Sequence, residues 1–300
     1  MSSADSSFID RARHPERAHN RMALVERDVR ILEHVQYYGG VLRADHLLEL
    51  EFQGTSGKAC QRRLTQLFHN GYLMRTSKVG SVHCGGTVYW LTKQGAREVA
   101  VGTADDRSLS PFVVSPVWSQ IRHDLRIMDI VLAIQRACTQ SRGEFEVHEW
   151  LTERDLRTEA TSVPYVTQAG ATATRKVVPD AYLQIDRHTD KGEPFHSRLL
   201  LEVDHSTHPH RRFADSKVLP GIEWVKSAGY KKRFGAPRGR WLVVTKSEQR
   251  LIYLKETIER VAGKAAAVWY FTTFDQVSDQ TILTAPIWRH GGAAMPIALF

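Results

Sequence analysis

The run Leu199-Leu200-Leu201-Glu202-Val203-Asp204 combines a buried-strand pattern with two carboxylates two positions apart. Alternation along a strand puts Glu202 and Asp204 on one face. Two acids on one side of an apolar strand suit a divalent-metal site or a strand end with a solvated polar face. A third acid, Asp180, follows Pro179 inside another apolar run, VVPDAYLQI (177–185), and Glu153 stands just after a further one, FEVHEWL (145–151). Lys217 and Lys226 are amines that could answer these charges. The segment HSTHPH places His205, His208 and His210 in one Pro-containing loop. That spacing tolerates zinc, but one loop rarely supplies a closed four-ligand site and no cysteine lies near, so a polar loop is preferred. Cys60, Cys84 and Cys138 are too far apart for a metal pair or a disulfide framework and fit a reducing cytoplasm. No GxSxG elbow and no Walker-type phosphate loop is present.

The elements that must carry these groups are legible from periodicity. WSQIRHDLRIMDIVLAIQRACTQ (118–140) has a broad apolar face at helical spacing and opens a second domain. Strands are expected at 145–151, 177–185, 197–204 and 240–246, with a late strand within 268–277. Residues 157–176 are rich in Thr, Ala and Gly and read as a mobile loop. Residues 211–235 are helical in part, with a break at Pro220-Gly221, and 248–265 form a helix.

The chain of 300 residues is long enough for two modest domains. Residues 1–22 lack an apolar period and read as a flexible tail. Helices are expected at 25–38, 44–51 and 57–70, then a strand, a Gly-containing turn and a strand across 72–92, then a helix at 93–101. Three helices followed by a two-stranded ribbon, with the text RRLTQLFHNGYLMR…VYWLTKQGARE, resemble a winged-helix DNA-binding domain over 23–108. Winged helices also serve as protein-interaction modules, and charge argues against that use. Forty-one Lys and Arg face thirty-three Asp and Glu, a net charge of +8. Between Glu51 and Glu98 there is no acidic residue at all. A helix and wing without carboxylates can approach phosphates without repulsion. Lys58, Gln61, Arg62, Arg63 and Thr65 of the third helix are the expected DNA contacts, with Arg75 and Lys78 on the ribbon and His83-Cys84 at its tip.

The second domain, 109–300, resembles the PD-(D/E)xK nuclease fold, an α/β core with a mixed sheet that would make the whole chain α+β. The resemblance implies that Asp180 and Glu202, on neighbouring strands, bind Mg²⁺ (with Mn²⁺ as a substitute) and that Glu153 adds a further acid. It also asks for a lysine two positions after the second acid, where this chain has Asp204. Lys217 or Lys226 would then replace it. Lys226 and Tyr230, four apart, resemble the Gln-x-x-x-Tyr element of some members of that superfamily. Tyr230 and Tyr165 are candidates for a relaxase-type nucleophile, with packing the preferred reading of both. The basic run from Arg211 to Lys246, interleaved with Tyr230, Phe234 and Trp241, could track a DNA backbone or be a solvated face.

His123, Trp150-x-x-Glu153, Val178-Pro179-Asp180-Ala181, Leu201-Glu202-Val203-Asp204, a Lys-rich helix ending in Tyr230 and LVVTKSEQR (242–250) together resemble the replication-relaxation family of plasmids and other mobile elements. That family is similar in layout to mobilisation relaxases with a restriction-nuclease-like domain. The resemblance implies a cytoplasmic protein acting on double-stranded DNA in replication or transfer, with Mg²⁺-dependent nicking as its candidate chemistry. The alternative is a non-catalytic replication or transcription regulator with a degenerate nuclease fold. Expected partners are duplex DNA, a second copy of the chain and plasmid replication or mobilisation proteins. No apolar run is long enough to span a membrane.

Overall fold

A computed structural model of the protein describes residues 12–13, 22–102, 116–189, 192–205 and 210–300. Nearly all of the expected tail, most of the 102–117 linker and His208 lie outside those residues. The chain divides into two compact units, Met1–Asp129 and Ile130–Phe300. The expected junction was 108/109. The division falls later because Trp118, Ile121 and Leu125 pack with Val41, Cys84, Val88 and Trp90, so the start of the long helix belongs to the first unit.

In the first unit, α1 (Glu26–Tyr37) begins where the Asp28 carboxylate accepts from the Val25 N–H at 2.8 Å. Strand β1 (Ala12–Arg13) and β2 (Leu42–Arg43) are two-residue edges. Helix α2 (Ala44–Glu51) leads to α3 (Gly57–His69), whose first turn is capped by Ser56. The predicted stripe of α3, Cys60, Leu64, Leu67 and Phe68, is buried. Strands β3 (Leu73–Thr76) and β4 (Val88–Leu91) follow, then α5 (Lys93–Gly102). The sheet order is β1-β3-β4-β2, antiparallel throughout.

One expectation fails here. The expected turn between β3 and β4 contains a helix, α4 (Lys78–Cys84). Ser77 caps it by accepting from the Gly80 N–H at 3.2 Å, and Gly85 stops it at φ +70°. A Ser N-cap and a left-handed Gly are ordinary helix punctuation. His83 and Cys84 therefore sit in the last turn of α4, and Cys84 is buried rather than exposed at a tip.

The second unit is built on a six-stranded mixed sheet in the order β12-β11-β10-β9-β8-β5. Its strands are β5 (Phe145–Thr152), β8 (Ala181–Arg187), β9 (Phe195–Asp204), β10 (Arg240–Thr245), β11 (Trp269–Thr273) and β12 (Arg289–His290). β5, β8 and β9 pair antiparallel, β9, β10 and β11 parallel, and β12 closes the edge antiparallel. The parallel strands are the continuous apolar runs, as sheets covered on both faces require. Trp241 and Trp269, opposite each other on β10 and β11, stack at 4.7 Å and 4°. Helix α6 (Ile121–Gln140) enters this unit at Ile130, and α11 (Glu248–Ala262) follows β10.

Two further segments differ from expectation. Residues 162–176 form a hairpin of β6 (Ser162–Val166) and β7 (Thr172–Lys176) instead of a loop. Val163 and Tyr165 alternate inward, and Gly170 at φ +81° completes the turn, in which Thr167 N–H donates to the Ala171 carbonyl. The helix expected to break at Pro220 instead runs on: α8 (His210–Phe213), one π turn (Ala214–Val218), then α9 (Leu219–Lys226). Pro220 has no N–H to give the carbonyl four residues back, and the ladder widens just before it rather than stopping. Helix α10 (Ala228–Phe234) ends the segment. Tyr230, Phe234 and Trp241 are buried in the core beside Trp224 and Tyr182, so they cannot stack bases in a groove.

Candidate functional site: an acid–lysine cluster and a basic helix face

Asp180 immediately precedes β8 and Glu202 lies near the end of β9. These strands pair antiparallel with Ala181 opposite Leu201, so the same register sets Asp180 across from Glu202. The Asp180 N–H donates to the Leu201 carbonyl at 3.0 Å, and its carboxylate accepts from the Val203 N–H at 2.7 Å. The bend at Asp180, just before β8, thus sets its carboxylate against the β9 backbone. Both acids are buried, Glu202 to 4% exposure and Asp180 to 7%.

Lys217 completes the cluster. It comes from the π turn, and its Nζ lies 2.7 Å from Glu202 Oε1. Burial pushes the Glu202 carboxyl up, Lys217 pulls it back, and the Asp180 and Glu153 carboxylates push it up again. Burial alone would lower the Lys217 amine, but Glu202, Asp180 and Glu153 outweigh it and hold the amine above its ordinary range. Glu153 opens α7 (Glu153–Thr158), capped by Thr152, and pairs with Arg157 one turn on.

Asp204 shares the strand face of Glu202 but has different partners. Arg250, in the first turn of α11, donates to it through Nε at 2.9 Å and Nη2 at 3.0 Å, and Thr245 Oγ1 donates at 2.9 Å. Lys226 does not reach the acids: its Nζ bonds Glu223 at 2.9 Å, and it stands at the exposed end of α9. Tyr230 is buried with its hydroxyl donating to the Arg238 carbonyl at 3.0 Å, so it presents no free nucleophilic oxygen, and Tyr165 packs inward on β6. Arg250 was missed by sequence reasoning. Its signal was Ser247, an N-cap that places residue 250 in the first helical turn after β10.

The donor set can be weighed against a divalent ion. The Asp180 and Glu153 carboxylates act on Glu202 here and Lys217 answers it, while Arg157 pairs with Glu153, which places hard oxygen atoms of Asp180 and Glu202 together in a buried place. Mg²⁺ needs only one or two protein carboxylates when water and phosphate oxygens complete its shell. Among the described residues, no group of three or more His, Cys, Asp or Glu side chains could hold a metal unaided. Asp180 and Glu202 therefore fit such an ion as partial ligands only. For the histidine loop, His208 and the side chain of His210 fall outside the described residues.

In the first unit, Gly57, Lys58, Gln61, Arg62, Thr65 and Gln66 line one open surface of α3. Lys58, Gln61 and Arg62 are exposed on it, opposite the buried stripe. Arg63 leaves this face. Its guanidinium turns back to the fully buried Asp28 carboxylate and to Gln66, tying α3 to the start of α1. Arg75 lies over the Phe68 ring at 4.3 Å, and Lys78 is exposed at the first turn of α4.

The fold and these two sites define an α+β protein with a buried acid–lysine cluster in its second unit and a basic helix face in its first. The replication-relaxation family model matches residues 32–218, well over half of the chain, and the protein belongs to that family. The matched span includes α3, Glu153, Asp180 and Glu202 and ends one residue after Lys217, whereas Lys226, Tyr230 and Arg250 lie beyond it. No curated protein and no solved structure matches the chain. Membership suggests a role in replication or in the life of a mobile element. Among the described residues, no helix is long and apolar enough to cross a membrane.

Proposed function

We propose that this is a plasmid or mobile-element protein that binds duplex DNA and nicks it in a Mg²⁺-dependent reaction during replication or transfer. The first unit acts as a winged-helix module, with Lys58, Gln61, Arg62 and Thr65 of α3 toward the DNA and Lys78 nearby on a phosphate. The second acts as a nuclease-like module. The observation that carries the reading is Lys217 Nζ at 2.7 Å from Glu202 Oε1, across the strand pair from Asp180. It supplies, from a helix, the amine that Asp204 cannot supply from the strand.

Asp180 and Glu202 would hold the ion, and Mn²⁺ could replace it. When bound, a divalent ion activates water and neutralises charge on the scissile phosphate. Lys217 stabilises negative charge developing on phosphate oxygens. Glu153 adds negative potential at the cluster.

A second reading has its own support. Asp204 is fully engaged by Arg250 and Thr245, and Lys217 already neutralises Glu202. That is the pattern of a cluster kept for structure, in a regulator that binds DNA without cutting it. One experiment separates the two. Supercoiled DNA of the protein's own element, incubated with the full chain and Mg²⁺ or Mn²⁺, should become nicked circle, and Asp180→Ala and Glu202→Ala should abolish this. DNA left supercoiled with both metals, but retained in a gel shift, would establish the second reading.

A further inference from the structure

The hairpin β6–β7 is rooted at the acid–lysine cluster. Glu153 and α7 precede it, and Val177 to Pro179 lead from its last strand directly into Asp180. Its tip is fastened to the turn that carries Lys217. The Gln168 N–H donates to Asp215 Oδ1 at 2.9 Å, and Gln168 Nε2 donates to Asp215 Oδ2 at 3.0 Å, two residues before Lys217. Root and tip are thus both held, which makes the hairpin a braced arm rather than a loose flap.

Its charge is one-sided. Between Glu159 and Asp180 the chain has no acidic residue, while Arg175 and Lys176 are exposed on β7. Ser162 pairs with Lys176 in the hairpin register. Next to Ser162, Thr161 packs against α10 so closely that a β-carbon on Gly229 would lie 3.2 Å from its Cγ2. Helix α10 then presents Lys231 and Lys232, both exposed. Nearby Glu159 is already engaged by Arg233. Among the described residues, Arg175, Lys176, Lys231 and Lys232 have no acidic partner. From Lys176 toward the tip, the outward positions of β7 on the same strand face are Thr174 and Thr172, whose short hydroxyl side chains can approach a phosphate or a base edge.

We infer that the hairpin Ser162–Lys176, with Lys231 and Lys232 at its root, is a duplex-DNA contact of the second unit, separate from the α3 face. A two-stranded ribbon fits the major groove of B-DNA, and a cationic root at its base meets the flanking phosphates. The ribbon and the acid–lysine cluster share their connecting chain, so a duplex held by the ribbon lies at Asp180 and Glu202. The inference rests on the DNA-binding part of the proposed function and is independent of cleavage.

The test uses the full-length chain and a short labelled duplex. A photo-crosslinking benzoylphenylalanine is placed at Thr174 in one variant and at Gln61 in another, and Arg175→Glu/Lys176→Glu is made as a third. DNA adducts from both Thr174 and Gln61 are expected. The charge reversal should lower the slope of log affinity against log salt by about 2, as losing two phosphate contacts would. An adduct from Gln61 without one from Thr174, with an unchanged salt slope in the double variant, overturns the ribbon contact and leaves the DNA-binding reading standing. No adduct from either position and no gel shift by the unmodified chain overturns both. Because the Thr174 probe leaves every charge in place and sits on an exposed position, its result does not depend on the double variant folding.

Discussion

Arg250 grips Asp204 through two nitrogens, Nε at 2.9 Å and Nη2 at 3.0 Å, at the strand position where a nuclease-like site would carry its lysine. The pair ties β9 to α11, and both side chains are mostly buried. Removing one partner of a buried ion pair costs more than the pair itself contributes, because the other charge is left without water. Arg250→Ala should therefore destabilise the protein by about 3–5 kcal/mol. Asp204→Asn combined with Arg250→Gln should recover part of that loss. Chemical denaturation of the three proteins measures it; an Arg250→Ala protein as stable as the wild type would show that the pair does no structural work.

Lys217 and Lys226 should separate cleanly. Lys217→Met removes the ammonium from Glu202 and should abolish nicking while leaving gel-shift affinity within about twofold, because the loss falls on charge stabilisation and not on docking. Lys226→Met, which breaks only an exposed contact with Glu223, should change neither. Equal loss in both variants would remove the special role given to Lys217.

The same substitution has a pH signature. Burial raises the Glu202 carboxyl, and Lys217 opposes that rise. Without Lys217 the folded-state pKa of Glu202 moves further up. A carboxyl raised in the folded state contributes stability that is full below its ordinary range and is lost as pH rises through the folded value. Lys217→Met should thus be nearest to wild type in stability at low pH and fall behind as pH increases. Melting temperatures across pH 5 to 9 that track the wild type in parallel would contradict this sign.

In the first unit, Asp129 is the acid to watch. Burial alone would raise its carboxyl, but hydrogen bonds from His46 at 2.9 Å and Arg43 at 2.7 Å hold it down to about 2. A depressed carboxyl contributes stability above its ordinary range that is lost as pH falls toward the folded value. Asp129→Asn should lower the midpoint at neutral pH and flatten the wild-type decline between roughly pH 4 and 2. An unchanged acid limb would mean another group controls it.

Arg62 and Arg63 are neighbours in sequence with opposite assignments. Arg62→Ala should weaken DNA binding at unchanged stability. Arg63→Ala strands the buried Asp28 carboxylate and should cost at least about 1–3 kcal/mol of stability. Gel shifts and melting curves on both variants test this, and a binding loss confined to Arg63→Ala would place the DNA face elsewhere on α3.

The elements whose periodicity is strong were legible in the sequence: the buried stripe of α3, the apolar strands β8, β9 and β10, and the long helix α6. Asp180 and Glu202 could be named because each sits beside an apolar run whose strand pairing brings them across from one another. What escaped depends on contacts between distant segments. Nothing in the spacing of Lys217 and Lys226 says which one reaches Glu202, since the π turn decides it. Arg63 reads as a surface cation until Asp28, thirty-five positions away, proves to be buried against it. The hairpin 162–176 was hidden by its composition, because Thr, Ala and Gly are common in loops and only Val163 and Tyr165 report the alternation. Helix α4 was hidden between two strands, although Ser77 and Gly85 mark its ends.

The π turn at Ala214–Val218 also carries a lesson in counting. A π ring encloses one residue more than an α ring, so the helix before and after it is out of phase by about 100°. Lys217 meets Glu202 from within that turn. A one-residue deletion within the turn would return the ring to α spacing, with the carbonyl four residues before the proline still unanswered, and would swing the amine to another side of the cylinder. The acid–lysine cluster is in that sense written in chain length as much as in residue type, and relatives that shorten this helix by one position would keep every charged side chain and lose the contact.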